Sequence, residues 1–337
     1  MKSPRMKARD MKNRAERTRY ALFTGAAGGL ASACIGFLLE KYPEWRVFAA
    51  DKDGEKLREL AGRCGERVIP VVTDVTSDAG CADCLRIVKE HTGGLDAVVN
   101  AAGIHTMASL VESDAAAVTE RLAAVNLFGM MRINRIFFPL VKAARGRVID
   151  FSSECGFEKA QPFNTPYAVT KYGVEAYTDG LRRELNFLGI KVIKIQPGSF
   201  GTGLLDQAQR GFDDLRAGTG YYGEILDALD PLMRGAMSHP HDAKVLAKTV
   251  ARAMTSRHPR LRYRVKNTWY LRLIDPLPDR LQDLAYRKAA EIGCRIKKTG
   301  RPAGGRGGTS PFSRGVPAGV PELRETEKGQ GPEENEI

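Results

Sequence analysis

"RYALFTGAAGGLA", residues 19–31, runs from an apolar segment straight into a cluster of glycines. The segment is apolar at consecutive rather than alternate positions, the pattern of a strand covered on both faces. Five more runs share it: "RVFAAD" (46–51), "RVIPVVTD" (67–74), "LDAVVNAAG" (95–103), "GRVIDFSS" (146–153) and "IKVIKIQPG" (190–198). Between them lie helix-length periodic stretches, among them "EKLRELAGRC" (55–64), "AGCADCLRIVKEH" (79–91) and "AAVTERLAAVNLFGMMRINRIFFPLVKAA" (116–144). Thr165 and Pro166 read as the cap and first position of a further helix that ends near Gly189. "LRYRVK" (261–266) supplies a seventh strand. This alternation predicts an α/β fold: one domain with a Rossmann-type, doubly wound parallel sheet of about seven strands and helices on both faces.

The 337 residues are 43% hydrophobic, yet no run of ~18 apolar residues occurs that would span a membrane as a helix. Residues 1–19 hold eight Lys/Arg against Asp10 and Glu16 and lack the apolar stretch of a secretory signal. They read as a basic, disordered arm, or as residues upstream of a true start at Met6 or Met11. The net charge of +12 sits at the ends: +6 in 1–19 and +9 in 252–298, with −1 in 299–337 and −2 in the body between. A body so close to neutral is not expected to bind nucleic acid. Six cysteines without a framework suit a reducing, cytoplasmic compartment. Cys81 and Cys84 form a lone C-x-x-C, and His239 and His241 have no further ligands nearby, so no metal is expected.

Residues 267–298 read as a basic helical segment. Its stretch "NTWYLRLIDPLPDRLQDLAYRK" (267–288) suits packing on the body or, as a second reading, peripheral contact with a membrane. In 299–337 fourteen positions are Gly or Pro, so that tail is expected to be disordered.

Glycines at a strand-to-helix turn let the backbone approach a pyrophosphate, whose charge the helix N-terminus stabilises. Two registers are open. Gly25 and Gly29 fit T-G-x-x-x-G-x-G with Ala31 in the last place, whereas Gly25 and Gly28 fit G-x-x-G-x-x-A. Asp51 closes the second strand 26 residues after Gly25, where an acid accepts hydrogen bonds from ribose hydroxyls. In "NTPYAVTKYG" (164–173), Tyr167 and Lys171 lie one helical turn apart. An ammonium and a helix N-terminus beside a phenol favour its phenolate, and so make it a base.

In this order, across residues 20–266, the motifs resemble the short-chain dehydrogenase/reductase family. The resemblance implies that Gly25, Gly28, Gly29 and Leu30 of "TGAAGGLA" hold the cofactor's pyrophosphate, with Asp51 and Lys52 at the ribose. It places Asp74 and Val75 of "TDV" against adenine and assigns Asn100, Ala101 and Gly103 of "NAAG" to the cofactor. Pro197, Gly198, Phe200 and Thr202 of "PGSFGT" would hold the nicotinamide. The catalytic set would be Asn126, Ser153, Tyr167 and Lys171: Tyr167 as acid–base, Ser153 orienting the substrate oxygen, Lys171 also on the nicotinamide ribose, and Asn126 fixing a water behind Lys171. Ala31 and Ala101 depart from the family's glycine and second asparagine.

The activity so implied is NAD(P)-dependent interconversion of an alcohol and its carbonyl by hydride transfer. Ser153 precedes Tyr167 by fourteen residues, as in the short oxidoreductases. The alternatives are a nucleotide-sugar epimerase or dehydratase, and a non-catalytic NAD(P)-binding scaffold. NAD is expected over NADP, because a 2′-phosphate would face Asp51 and Lys52 offsets that repulsion only in part. The resemblance implies that residues 203–238, rich in residues such as Leu204, Phe212, Tyr222 and Met233, form the substrate lid, and Phe157 and Phe163 are expected to face the same pocket. A lipophilic substrate of steroid, retinoid or long-chain type follows, and "MTSRHPRLRYRV" (254–265) leans toward steroid- and retinol-type members. A homo-oligomer, dimer or tetramer, is expected.

Overall fold

The computed structural model describes residues 17–238, 241–268 and 271–299. The basic arm to residue 16, His239 and the Gly/Pro-rich tail from 300 onward lie outside the described residues.

The order is β1 (Arg19–Thr24), α1 (Gly29–Lys41), β2 (Trp45–Asp51), α2 (Gly54–Cys64), β3 (Val68–Val72), α3 (Asp78–His91), β4 (Ala97–Asn100) and α4 (Ala115–Ala123). A π-helical turn (Ala124–Gly129) leads into α5 (Met130–Ala144), then β5 (Arg147–Phe151), α6 (Thr165–Asn186), β6 (Lys191–Pro197), α7 (Gly203–Gly218) and α8 (Gly223–Ser238). The chain continues through α9 (Ala243–Thr255), β7 (Arg262–Val265), α10 (Leu271–Ile274) and α11 (Asp279–Thr299). All seven strands are parallel, in the order β3-β2-β1-β4-β5-β6-β7. The order reverses between β1 and β4, which opens a crevice beyond their C-terminal ends, the place where such sheets bind ligands.

The consecutive apolar residues divide between two cores because side chains alternate along a strand. Phe23, Val47, Val99 and Ile193 point to one face, against Ile35 and Leu38 of α1 and Leu246 and Val250 of α9. Leu22, Phe48, Val98 and Val192 point to the other, against Ile133 and Phe137 of α5. Both faces are therefore covered by helices. Cys81 and Cys84 belong to the second core as free thiols, and burial pushes the Cys81 thiol up to about 11.

Two helix readings change. Asn164, not Thr165, occupies the cap of α6, with Thr165 as the first helical residue, and Pro166 still falls where no N–H is needed. The helix read as continuous over 116–144 is interrupted by the π-helical turn, whose extra residue per turn re-aims Asn126. Periodicity alone does not reveal such an insertion.

α11 packs against α8 so closely that a methyl on Gly293 would sit 2.8 Å from the Ala228 side chain. Ala290 and Cys294 are buried there, while Leu281, Leu284 and Ile292 are exposed on the outer side. The segment between β7 and α11 is fastened to the loop after β5. Glu154 accepts from Thr268 N–H (2.7 Å) and Oγ1 (3.0 Å), and Lys159 N–H donates to Asp275 (2.7 Å). Among the described residues, no helix is long and apolar enough to cross a membrane.

Candidate active site

β1 enters the glycine turn with Gly25 at φ +64°, and a Cβ there would lie 2.6 Å from Ala102 Cα. Only glycine meets both conditions. A Cβ on Gly29 would come within 3.0 Å of Thr202 Cγ2, so the turn also closes against the loop after β6. Ala31 is buried and its methyl is accommodated. The Asp51 carboxylate is anchored by Ala27 N–H and Asp53 N–H, each at 3.1 Å, which holds the acid at the mouth of the turn. Thr76 donates to Asp74 from its N–H (2.8 Å) and Oγ1 (2.7 Å) and keeps that carboxyl below its ordinary range.

These residues line one end of a cleft of ≈ 930 Å³. Gly25, Gly28, Gly29, Leu30, Asp51, Lys52, Asp74, Val75, Ala101, Gly103, Pro197, Gly198, Phe200 and Thr202 all reach its wall, as do Ser153, Tyr167 and Lys171. The glycine turn, the N-terminus of the thirteen-residue α1 and the anchored Asp51 suit a dinucleotide: donors and close backbone approach for a pyrophosphate, an acceptor for ribose hydroxyls.

Two expected residues stay out of the wall. Asn100 turns into the sheet, donating to Asn134 (2.7 Å) and Asp150 (2.9 Å), because a buried Asp150 needs donors more than the cleft needs an amide. Asn126 is fully buried and clamps Ile104, accepting from its N–H (2.8 Å) and donating to its carbonyl (3.0 Å) and to Thr170 Oγ1 (3.1 Å). Both its amide hydrogens are thus committed to the protein.

Ser153 opens a 3₁₀ turn after β5, and its Oγ accepts from Cys155 N–H at 3.2 Å. Tyr167 and Lys171 project from the first turns of α6 and are both about 4% exposed. Lys171 Nζ donates to Phe151 O at 3.2 Å and lies 5.6 Å from the Tyr167 ring centre. Burial pushes the Lys171 ammonium down to about 8. Burial also pushes the Tyr167 phenol well above its ordinary range, against the pull of its hydrogen bond with Ser153. In the protein by itself, desolvation is the largest influence on the phenol and favours its protonated form; the phenolate expected from Lys171 and the helix N-terminus also counts on a cationic nicotinamide beside it.

At the other end, Leu204, Leu205 and Ala208 of α7 and Met233 of α8 face the cleft. Phe212, Leu215 and Leu226 instead bury one another with Met107 in a small separate core. Phe163 packs edge-on against Tyr222 in that core, 5.1 Å between ring centres. Phe157 does not face the pocket. It lies under the Arg264 guanidinium, 4.1 Å away, since the turn after Ser153 carries it outward.

Sequence reasoning missed His105, Asn164, Gln161, Gln207 and Thr268, all of them in the wall. The His105 ring lies 4.2 Å from that of Tyr167, and its Nε2 is 3.0 Å from Asn164 Oδ1. Its position two residues beyond Gly103 was the one available signal.

A family model described as short chain dehydrogenase matches residues 19–211. Retinol dehydrogenase 16 of Mus musculus is 33% identical over 266 residues, covering 73% of this chain and 80% of the relative. The mitochondrial D-beta-hydroxybutyrate dehydrogenase of Mus musculus is 29% identical over 304 residues, covering 80% and 87%. A short-chain dehydrogenase structure from Streptomyces avermitilis superposes with a TM-score of 0.63 at 23% identity, covering 84% of this chain and 99% of that one.

Proposed function

This chain belongs to the short-chain dehydrogenase/reductase family, and from that premise we propose that it oxidises a neutral lipophilic alcohol with NAD, or reduces the matching carbonyl. One observation carries the reading. Ser153, Tyr167 and Lys171 share a single cleft wall, between an Asp51-bearing glycine turn and an apolar lid end.

Bound NAD(P) supplies the acceptor or donor of hydride at the substrate carbon. Gly25, Gly28 and Gly29 would hold its pyrophosphate, Asp51 its adenosine ribose, and Thr202 with Lys171 its nicotinamide end. The protein's own residues manage the proton. Ser153 Oγ holds the substrate oxygen, and Tyr167 Oη donates a proton to a carbonyl or takes one from an alcohol. Burial keeps the phenol in its protonated form, so Tyr167 holds the proton that carbonyl reduction requires. As a base, Tyr167 depends on positive charge beside it, which Lys171 retains at neutral pH with a pKa of about 8. Asn126 positions the Gly103–Ile104 backbone through its two bonds to Ile104.

The substrate class follows from the lid end. Its lining residues Met107, Leu204, Leu205 and Met233 are apolar, while His105, Gln161 and Gln207 are neutral polar groups. The apolar share of this set favours retinoid-, steroid- or long-chain-like alcohols over short hydroxy acids, although Arg121 also reaches the cleft wall and makes the carboxylate comparison part of the test. Steroids, retinol, long-chain secondary alcohols, sugars and 3-hydroxybutyrate should be compared as substrates with NAD and NADP. Turnover confined to the sugars or the hydroxy acid would sink the reading.

NAD is the proposed cofactor because Asp51 is held in place by two backbone donors, while the Lys52 side chain is exposed. A fixed carboxylate repels a 2′-phosphate more than one flexible lysine attracts it. The expected preference in kcat/KM is at least ~10-fold, about 1.4 kcal/mol. Asp51→Ser should shrink or reverse it. An unmodified enzyme faster with NADP would make Lys52 the determinant instead.

A further inference from the structure

We infer that Thr268, where the C-terminal segment begins, is a positioning residue for the reaction. Through the carboxyl of Glu154 it fixes the Ser153 hydroxyl relative to the end of β6, beside the loop that would hold the nicotinamide. The inference rests on the oxidoreductase reading above and adds to it a residue beyond the stretch 19–211 that the family model matches.

Ser153 is held from two sides. Upstream, Ser152 N–H donates to Ile195 O at 2.8 Å and keeps the end of β5 in register with β6. Downstream, the hydroxyl is tied to the 3₁₀ turn Glu154–Gly156, because its Oγ accepts from Cys155 N–H at 3.2 Å. A shift of that turn carries the Oγ with it. Glu154 is the turn's one charged side chain, and it is 8% exposed although it belongs to the cleft wall. Both of its oxygens are taken by a single residue: Oε2 accepts from Thr268 N–H at 2.7 Å and Oε1 from Thr268 Oγ1 at 3.0 Å. Burial pushes the carboxyl up, and Thr268 with the Asn267 side chain offsets that. Burying a carboxyl is costly even when it is bonded, so its place directly after Ser153 calls for a role.

The partner is anchored as firmly. Gly198 N–H donates to Val265 O at 2.9 Å and Asn267 Nδ2 donates to Gln196 O at 3.0 Å, so the chain leaving β7 is laid across the end of β6. A Cβ on Gly198 would lie 2.2 Å from Lys266 O and 2.9 Å from Asn267 Cα, and the crossing has no room for one. Lys266 takes φ +54°, in the left-handed region that a residue with a Cβ enters at a cost. Such strain persists where the surrounding contacts over-determine it, and it collects at working sites. Here it lies two residues before Thr268, in the turn that brings Thr268 to Glu154.

Holding the segment on the body does not require this bond. At the surface Lys159 donates to the same segment twice more, from its N–H to Asp275 at 2.7 Å and from Nζ to Leu277 O at 3.1 Å. What the buried bond adds is a fixed spacing between the Ser153 turn and the end of β6. Hydride transfer needs the substrate oxygen and the nicotinamide in register, and a misplacement of about 1 Å can cost roughly 10²-fold in rate.

The test follows NAD-linked oxidation of all-trans-retinol by the full-length protein or, where retinol is not turned over, of the fastest alcohol in the panel above. Thr268→Val keeps the side-chain shape and the N–H bond and removes the Oγ1 bond. It should lower kcat about 10-fold, with the KM for NAD within ~2-fold and the Tm within ~4 °C. Thr268→Ser keeps both donors and should recover most of the loss. Glu154→Gln can accept from Thr268 N–H and donate to Oγ1, so it should lose less than Glu154→Ala, which leaves the turn unheld. An unchanged kcat in Thr268→Val overturns the proposal, as does a loss that serine fails to recover. A higher KM for NAD at unchanged kcat would mean that Thr268 serves the cofactor loop alone. Equal losses in Glu154→Gln and Glu154→Ala would assign the effect to charge and overturn the clamp. Failure of every alcohol and carbonyl with the unmodified protein removes the proposal together with the oxidoreductase reading.

Discussion

Tyr167→Phe is expected to lower kcat at least ~100-fold in both directions while changing cofactor affinity by no more than a few-fold. The substitution removes one oxygen and nothing else. The ring keeps its contact with His105 at 4.2 Å, and the α6 backbone that positions Lys171 is untouched. What disappears is the group that exchanges a proton with the substrate oxygen, and a positioned acid–base contributes roughly 10²–10⁴ in rate. In the unmodified enzyme the oxidation rate should climb with pH, because burial holds the phenol protonated and oxidation needs its base form. Carbonyl reduction should stay flat over the same range. Turnover of the variant within a few-fold of normal, read by NADH absorbance, would remove Tyr167 from the mechanism.

Lys171→Met should lower kcat at least ~100-fold and weaken cofactor binding, yet leave the cofactor-free protein more stable than the original. The lysine is buried and its ammonium is pushed down to about 8 from an ordinary 10.5. Below pH 8 the folded protein carries a desolvated charge that the unfolded chain keeps in water, a cost on the order of 3 kcal/mol. Methionine removes that cost and forfeits the bond to Phe151 O, about 1 kcal/mol. The net gain of roughly 2 kcal/mol corresponds to a Tm higher by ~5 °C. Between pH 8 and ~10.5 the unfolded chain binds the extra proton, so raising the pH stabilises the original protein and the gap should narrow. A variant with lower Tm at pH 7 would mean that Lys171 holds the fold together rather than being held by it.

How far the sequence could be read depended on whether a residue's role was local. The glycine turn was legible because positive φ and close backbone approach leave one residue type, and Gly25 meets both. The strands were legible because burial on two faces demands continuous apolar runs, which Phe23 and Leu22 then divide between the two cores. The inward turn of the Asn100 side chain was illegible because its partners, Asn134 and Asp150, are 34 and 50 residues away, and no spacing announces them. The burial of the phenol was illegible for a similar reason: a charge one turn away is visible in sequence, whereas the depth of burial that raises Tyr167 is set by the whole domain. Asn164 was not singled out in the sequence, because its partner His105 lies on a loop 59 residues earlier.

The bond from Glu154 to Thr268 has a consequence for the order of synthesis. Glu154 directly follows Ser153, is buried, and has its carboxyl raised by that burial, with Thr268 among the groups that offset it. On a ribosome the two residues emerge 114 positions apart, roughly 6–23 s at ordinary elongation rates. During that interval the turn that carries Ser153 waits for its partner. Until Thr268 emerges, the buried carboxyl next to Ser153 lacks two of the donors that hold it, so the turn carrying Ser153 is among the last parts of the cleft to be fastened.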